Sequence, residues 1–252
     1  MHLGEWDYIF PFVGETVTGP ARSRSEDARL AAWQILLATG VGAIVGLLVG
    51  GVGGRLVMLV LRLGSNGSVR GLDTDDGFEI GQFTSATIFL LTVTAGLGGA
   101  TGLVYLAARN GLPRRGRAFI AGAFVAVVSG ASTLDPYSLD FTILDPKPFA
   151  VASFILLPGV AAFFIAVAIE RLLLVEPWAR RRLTIVLALA SLPLVPVFPL
   201  FLVAGGVAFA LRRVPKVAGA ARLIARVAVP LAVVLLAGWS SIELWRDINA
   251  IL

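Results

Sequence analysis

The sequence predicts an all-α fold: a polytopic helical membrane protein with about six hydrophobic segments. Composition is the first observation behind this prediction, because 57% of the 252 residues are hydrophobic and only 15% are charged. Length is the second, since several apolar runs exceed the roughly 20 residues that a helix needs to cross the hydrocarbon core of a bilayer. Helices are the expected form because a spanning helix satisfies its own backbone hydrogen bonds.

The connectors between the apolar runs alternate in charge, and this third observation predicts how the chain lies in a membrane. Arginines crowd connectors 109–117 and 171–182, whereas acids crowd connectors 73–79 and 135–145. Short connectors rich in Lys and Arg stay on the cytoplasmic side, so we expect a cytoplasmic N-terminus and acidic outer connectors. Membrane placement also accounts for the formal charge of +5. The expected partners are therefore the lipid bilayer and other membrane protein subunits, not nucleic acid.

The first hydrophobic segment follows a polar tail and is unusually long. Residues 1–27 are predicted to form the cytoplasmic N-terminal tail, and residues 28–252 a single transmembrane helical domain. The first helix is expected over residues 26–63. Because that length exceeds one perpendicular span, the helix must tilt, break at the glycines of residues 50–54, or project from the membrane.

Four of the remaining segments are continuous apolar runs. They are expected at residues 83–107, 118–134, 148–174 and 227–246. The first three are separated by the short charged connectors described above.

The fifth segment, residues 183–211, is rich in proline and has two interpretations. It contains Pro193, Pro196 and Pro199 and has basic clusters at both ends. Basic residues at both ends favour a re-entrant hairpin with both ends cytoplasmic. Half-helices of about 14 residues reach only about 21 Å, however, which is short of the hydrocarbon core and favours a single kinked span.

The two acidic connectors are the candidate binding surface. In the first, Asp76-Gly77 predicts a short outer loop resembling a β-hairpin near residues 68–84, since Gly tolerates the backbone of a tight turn. If both connectors fold together, their carboxylates form one negative patch for a cation or a basic partner. Turn chemistry and a solvated outer surface are the alternatives. The candidate residues are Asp73, Asp75, Asp76, Glu79, Asp135, Asp140 and Asp145.

Arg55 is the single charge embedded in an apolar run, directly after Gly53-Gly54. Ionisable residues inside a membrane are costly, and they mark functional sites by default. Arg55 is therefore a candidate for binding a ligand or pairing with the acidic patch. Its long side chain could instead extend to the membrane interface.

Two sets of glycines predict close packing between helices. They are Gly42, Gly46 and Gly50 in the first helix, and Gly96, Gly98, Gly99 and Gly102 in the second. Small residues at such spacing let helix backbones approach closely in lipid. We expect this packing to be intramolecular rather than a dimer interface.

The residue types that carry most enzyme chemistry are scarce in this chain. There is no cysteine, and His2 is the one histidine, which excludes thiolate metal sites and bis-histidine haem ligation. The sequence places no nucleophile beside a base. No cofactor and no confident metal site are predicted, and an enzymatic role is not favoured.

Several short stretches carry a resemblance to a known group of proteins. These stretches are 54–58 (GRLVM), 74–78 (TDDGF), 81–84 (GQFT), and Asp140-Phe141 with Leu144. They resemble a group of uncharacterised multi-pass membrane proteins of actinobacteria and related bacteria, over most of residues 40–175. The resemblance implies a multi-pass protein of the bacterial plasma membrane. It implies no activity.

Three functions fit these observations. The leading hypothesis is a non-enzymatic accessory, scaffold or complex subunit whose outer acidic loops contact partners or cations. The second is a small-solute or ion transporter or channel, with a pathway near the Pro-rich fifth segment and Arg55. The third is an intramembrane enzyme acting on lipids.

Overall fold

The computed structural model describes residues 24–65, 85–138, 141, 145–175, 177–192 and 215–252. All regular structure in these ranges is helical, which confirms the all-α prediction at that level. The hairpin expected near residues 68–84 lies outside the described ranges. Contacts between residues divide the chain into two compact units, with the boundary after Ala32. The packing described below is that of the second unit, which begins at Trp33.

The first helix is continuous, and its hydrogen-bonding pattern changes in the middle. Helix α1 (Arg24–Val45) runs into a π-helical stretch (Gly46–Gly53) and then into α2 (Gly54–Gly64). The helix therefore does not break at the glycines, which was one of the three alternatives that its length allowed. Gly53 and Gly54 keep ordinary right-handed helical backbone angles. The helix ends at Ser65, whose backbone is extended.

The next three helices lie close to the predicted apolar segments. They are α3 (Ser85–Ala108), α4 (Arg117–Thr133) and α5 (Lys147–Leu173). Gly116 has a φ of +85°, and this left-handed conformation, which glycine adopts without steric cost, lets the chain turn directly into α4.

Two further helices complete the described structure. Helix α6 (Pro177–Ala190) covers the beginning of the fifth segment, and α7 (Pro215–Ile251) contains the sixth. Residues 193–214 lie outside the described ranges, together with all three prolines of the fifth segment. Whether that segment spans once or re-enters is therefore not tested by the helices themselves.

Among the residues that the structure describes, three helices are long and apolar enough to cross a membrane: Ala28–Gly64, Thr87–Ala108 and Lys147–Leu173. Helix α4 is also apolar but shorter, at 17 residues. By length and composition, the described residues thus support part of the expected set of about six segments.

The helices pack around two hydrophobic clusters. The Phe141 core lies where α2 and α4 end and α5 begins, and its buried members are Leu61, Leu134, Phe141, Ala150, Val151, Leu244 and Ile251. The Tyr105 core lies where α3 and α5 end and is completed by α1 and α6, and its buried members are Leu37, Ala38, Val41, Tyr105, Ile165, Ala166, Ile169 and Leu187. We call the corresponding ends of the helices the acidic end and the basic end, after their connectors.

Ser65 forms hydrogen bonds that connect two segments at the acidic end. Its hydroxyl donates to the carbonyl of Leu61 at 2.8 Å and accepts a hydrogen bond from the backbone N–H of Asp145 at 2.9 Å. The carbonyl of Asp145 lies 3.2 Å from the same hydroxyl. One side chain thereby joins the end of α2 to the segment that leads into α5.

The predicted glycine faces pack against each other within the chain. A Cβ atom added at Gly42 would overlap the carbonyl oxygen of Gly98, and one added at Gly98 would overlap that of Gly42. A Cβ atom at Gly102 would likewise overlap the carbonyl of Ala38. The backbones of α1 and α3 are therefore in direct contact. The expectation of close intramolecular packing is confirmed for these positions.

Candidate functional site

Three helix ends meet at a group of polar side chains, which we call the Glu170 cluster: Tyr105, Arg109, Arg117 and Glu170. Tyr105 is in the last turn of α3, and Arg109 directly follows that helix. Arg117 is the first residue of α4, and Glu170 lies in the last turn of α5. Each side chain is positioned by its own helix, so the cluster is a contact between three separate elements.

Local sequence explains why these ends coincide. The connector contains Pro113, and the residue before a proline disfavours helix, so α3 stops before it. The left-handed Gly116 then starts α4 after a connector of only eight residues, 109–116. The backbone N–H of Arg109 still bonds to the carbonyl of Tyr105 at 2.8 Å, which continues the α3 geometry to the arginine.

The carboxylate of Glu170 accepts hydrogen bonds from three side chains. Arg109 binds it in a bidentate manner, with Nε 2.9 Å from Oε1 and Nη2 2.9 Å from Oε2. The hydroxyl of Tyr105 donates to Oε1 at 2.9 Å. Arg117 contributes a weaker contact, with Nη1 3.4 Å from Oε1, and its Nε donates to the carbonyl of Leu112 at 3.3 Å. The bidentate geometry fixes orientation as well as charge.

The cluster is mostly excluded from solvent. Tyr105 is 5% exposed, and the side chains of Arg109, Arg117 and Glu170 are 10%, 14% and 29% exposed. Two guanidinium groups face one carboxylate, so the cluster carries a net charge of about +1 with the tyrosine neutral. Desolvating such charges is tolerated only when they are paired and hydrogen-bonded, and Glu170 supplies that pairing.

Chemically, the arrangement holds helices together and does not present a reactive group. The oxygens of Glu170 already accept four hydrogen bonds, which stabilise its ionised form. A carboxylate in that state is a poor proton acceptor for a substrate. The geometry therefore favours a structural role for Glu170.

Sequence reasoning did not identify this cluster. Arg109 and Arg117 were interpreted through their connector, as arginines that set membrane orientation, and Glu170 and Tyr105 were not singled out. The available signal was that Glu170 is the one acid in the apolar run 148–174. The rule that singled out Arg55, that embedded charges mark functional positions, applies equally to Glu170.

The predicted acidic patch is described only in part. Asp135 and Asp145 are exposed and flank the Phe141 core. The carboxylate of Asp135 accepts the backbone N–H of Tyr137 at 2.9 Å, which is the turn chemistry considered as the alternative. The other candidates, Asp73, Asp75, Asp76, Glu79 and Asp140, lie outside the described residues. Whether the connectors form one patch is not tested.

Arg55 lies within the helix bundle. It is the second residue of α2, directly after the π-helical stretch, and it is half-buried. It lies nine positions before the last residue of α2, Gly64, which is about 14 Å along the helix axis. Leu157 of α5 packs against the preceding glycines, 3.2 Å from a Cβ placed on Gly53. Arg55 and the Glu170 cluster thus belong to different parts of the structure.

Two further findings concern possible metal ligands and similarity to known proteins. Within the described ranges, no three His, Cys, Asp or Glu side chains lie close enough to hold a metal ion. Comparison with family models, curated proteins and solved structures finds no match to the chain. The resemblance to multi-pass membrane proteins of actinobacteria stays a prediction.

Proposed function

We propose that this chain is an integral protein of the bacterial plasma membrane, acting without chemistry of its own as an accessory, scaffold or complex subunit. The observation that carries the proposal is the closed Glu170 cluster. In the described residues, the largest group of buried charges pairs within the cluster and connects α3, α4 and α5. Such internal pairing is expected for a structural framework.

Exposed apolar side chains support the membrane location. Bulky residues on the outward faces of α3 and α5 are at least half exposed, and a soluble protein rarely leaves so large an apolar surface uncovered. In lipid the same side chains contact acyl chains and carry no cost. They include Ile88, Phe89, Leu97, Val104, Leu156 and Phe164, which are 50–69% exposed.

The two cores support an orientation for the chain. Helices α3, α4 and α5 run alternately between the acidic and basic ends, and α7 finishes at the acidic end, where Leu244 and Ile251 join the Phe141 core. The positive-inside rule assigns the basic end to the cytoplasm. We propose that the C-terminus lies outside and the start of the helical unit at Trp33 lies on the cytoplasmic side.

This orientation has a consequence for the fifth segment. The chain leaves α5 at the basic end and reaches the acidic end at Ile251. It therefore crosses the membrane an odd number of times after α5. If α7 makes that crossing, the chain before it returns to the cytoplasmic side, which favours the re-entrant alternative over the single kinked span.

Reconstitution and co-purification test the proposed role. The purified protein in liposomes is expected to show the solute flux and lipid turnover of protein-free liposomes. Extraction in mild detergent followed by mass spectrometry is expected to recover a stoichiometric membrane partner. Turnover by the protein alone, or a lone monomer with no partner, would contradict the proposal.

One observation favours the second candidate, a small-solute or ion transporter or channel. The π-helical stretch is eight residues long, and π-helical turns are rare and frequent at functional sites. Arg55 directly follows this stretch inside the bundle. In this alternative, Arg55→Gln would abolish flux in the liposome assay, whereas Arg246→Gln on the exposed surface of α7 would leave it unchanged. The Pro-rich part of the predicted pathway lies outside the described residues.

A further inference from the structure

The π-helical stretch before α2 differs little from an α-helix at its end. The backbone of Gly53, its last residue, has φ and ψ of −59° and −44°, which are α-helical values. The N–H of Gly54 already bonds to the carbonyl of Gly50, four residues earlier. A π-helical turn closes its hydrogen bond over five residues and an α-helical turn over four. Conversion of one turn to α-helix would therefore advance α2 by one residue.

Helix α2 carries a second apolar row that such an advance would turn inward. At present Val57 and Leu61 pack in the Phe141 core, whereas Leu56 and Val60 are 57% and 50% exposed. An advance of one residue turns the helix by about 100° and moves each residue to the place of its successor. Leu56 and Val60 would then face the core. Either row supplies one valine and one leucine, and cores tolerate exchanges that conserve volume.

Two neighbouring glycines of the π-helical stretch fit both registers. A Cβ atom added at Gly51 would lie 2.6 Å from Leu91 Cδ2 and 2.8 Å from Thr94 Oγ1 of α3, so glycine suits this place. An advance of α2 brings Gly50 into it, and glycine fills it again. At the present place of Gly50 the nearest atom to an added Cβ is 3.4 Å away, which leaves room for the Cβ of Val49.

The hydrogen bonds of Ser65 belong to the present register alone. An advance would bring Gly64 to the place of Ser65 and remove the hydroxyl that bonds to the backbone of Asp145. It would also bring Leu63 to the place of Gly64, where an added Cβ lies 3.1 Å from the carbonyl oxygen of Asp145. The advanced register therefore separates α2 from the segment that leads into α5.

We propose that α2 is a register switch: one turn of the π-helical stretch converts to α-helix, and α2 advances by one residue and detaches from the segment before α5. Helix register shifts occur in microseconds to milliseconds. The present register is the major one, because it keeps the Ser65 hydrogen bonds and holds Arg55 within the bundle instead of on the outward face. The inference does not rest on the proposed scaffold role, and it gives the acidic end two states.

Disulfide trapping distinguishes the two registers. Ala150 of α5 and Leu61 of α2 are both fully buried in the Phe141 core. They lie at similar depth, because α2 contacts Pro146 and Leu157 on either side of them. Copper phenanthroline oxidation in membranes should therefore cross-link Leu61→Cys/Ala150→Cys from the present register, and Val60→Cys/Ala150→Cys from the advanced one.

Cross-linking of the Val60 pair is expected to respond in opposite directions to two further substitutions. Ser65→Ala removes hydrogen bonds made only in the present register, and the loss of one such bond shifts a two-state population about fivefold. The Val60 pair should then cross-link about fivefold faster. Gly50→Ala fits the present register but would meet Leu91 in the advanced one, so it should slow the Val60 pair about fivefold and leave the Leu61 pair unchanged.

Ser153→Ala and Gly238→Ala are the matched controls. The exposed hydroxyl of Ser153 donates within α5 to the carbonyl of Phe149 at 2.7 Å, and a Cβ on Gly238 would enter open space. Neither substitution is expected to change the rate of the Val60 pair. Leu59→Cys/Ala150→Cys gives the background rate, since residue 59 faces away from the core in both registers.

Two outcomes would overturn the switch. One is a Val60 pair that cross-links no faster than the Leu59 pair, in the unmodified background and in Ser65→Ala. The other is an equal rise of both pairs in Ser65→Ala, because it would show a general loosening of the acidic end. The assay measures neither solute flux nor partner binding, so the switch and the scaffold role can fail separately.

Discussion

Glu170→Gln is expected to lower the free energy of unfolding by about 3 kcal/mol. The substitution keeps the size of the side chain but removes the charge that pairs with Arg109 and Arg117. Both guanidinium groups would then be mostly buried without a counter-charge, and breaking a buried pair in this way costs about 3–5 kcal/mol. The lower value is expected because the Glu170 side chain is 29% exposed.

Reversible unfolding of the purified protein in mixed micelles, followed by circular dichroism, measures this effect. Glu243→Gln is the matched control, since Glu243 accepts an exposed hydrogen bond from Trp239 at 2.8 Å and such surface contacts contribute about 0–1 kcal/mol. The double variant Arg109→Gln/Glu170→Gln should lose less than the sum of the single variants, because each single variant already breaks the same pair. Equal effects of Glu170→Gln and Glu243→Gln would show that the cluster does not stabilise the helix ends.

Gly98→Ala is expected to destabilise the protein by about 1–3 kcal/mol, because the added methyl group overlaps the backbone of α1 and forces the helices apart. Gly98→Leu is expected to prevent folded protein from accumulating. The close approach is reciprocal: a Cβ on Gly98 meets the carbonyl of Gly42 and lies 2.7 Å from the Cα of Gly46. No side-chain rotation can relieve an overlap with backbone atoms.

Gly238→Ala is the control for this prediction. Gly238 is also helical, in α7, but a Cβ there meets no atom within 4 Å. Replacing such a glycine by alanine favours the helix by about 1 kcal/mol, so this variant should be neutral or slightly more stable. If Gly98→Ala were as stable as Gly238→Ala, α1 and α3 would not be in backbone contact.

The helices were predictable because apolar length and flanking charge determine them directly. The expected segment 118–134 and the observed α4 (Arg117–Thr133) differ by one residue at each end, since Arg117 and Asp135-Pro136 bound the apolar run. The contact between glycine faces followed from spacing alone. The π-helical stretch did not, because glycines permit a break and an altered helix equally well.

The Glu170 cluster was not predicted because it depends on three-dimensional proximity. Arg109 and Glu170 are 61 residues apart, and no local pattern pairs them. The positive-inside rule already explains why Arg109 and Arg117 lie in their connector. Nothing in the sequence therefore indicated that they also have an acidic partner. The acids within each connector of the predicted patch, in contrast, are close in sequence. Their proximity in space is not tested.

Labelling of introduced cysteines tests most directly the claim that the acidic and basic ends lie on opposite sides of a membrane. The chain has no cysteine, so no native thiol interferes. Tyr137 and Leu252 are 91% and 66% exposed at the acidic end, and Arg115 is exposed at the basic end. With a membrane-impermeant maleimide, Tyr137→Cys and Leu252→Cys should label in intact cells, and Arg115→Cys only after permeabilisation. Labelling of Leu252→Cys and Arg115→Cys from the same side would contradict the account.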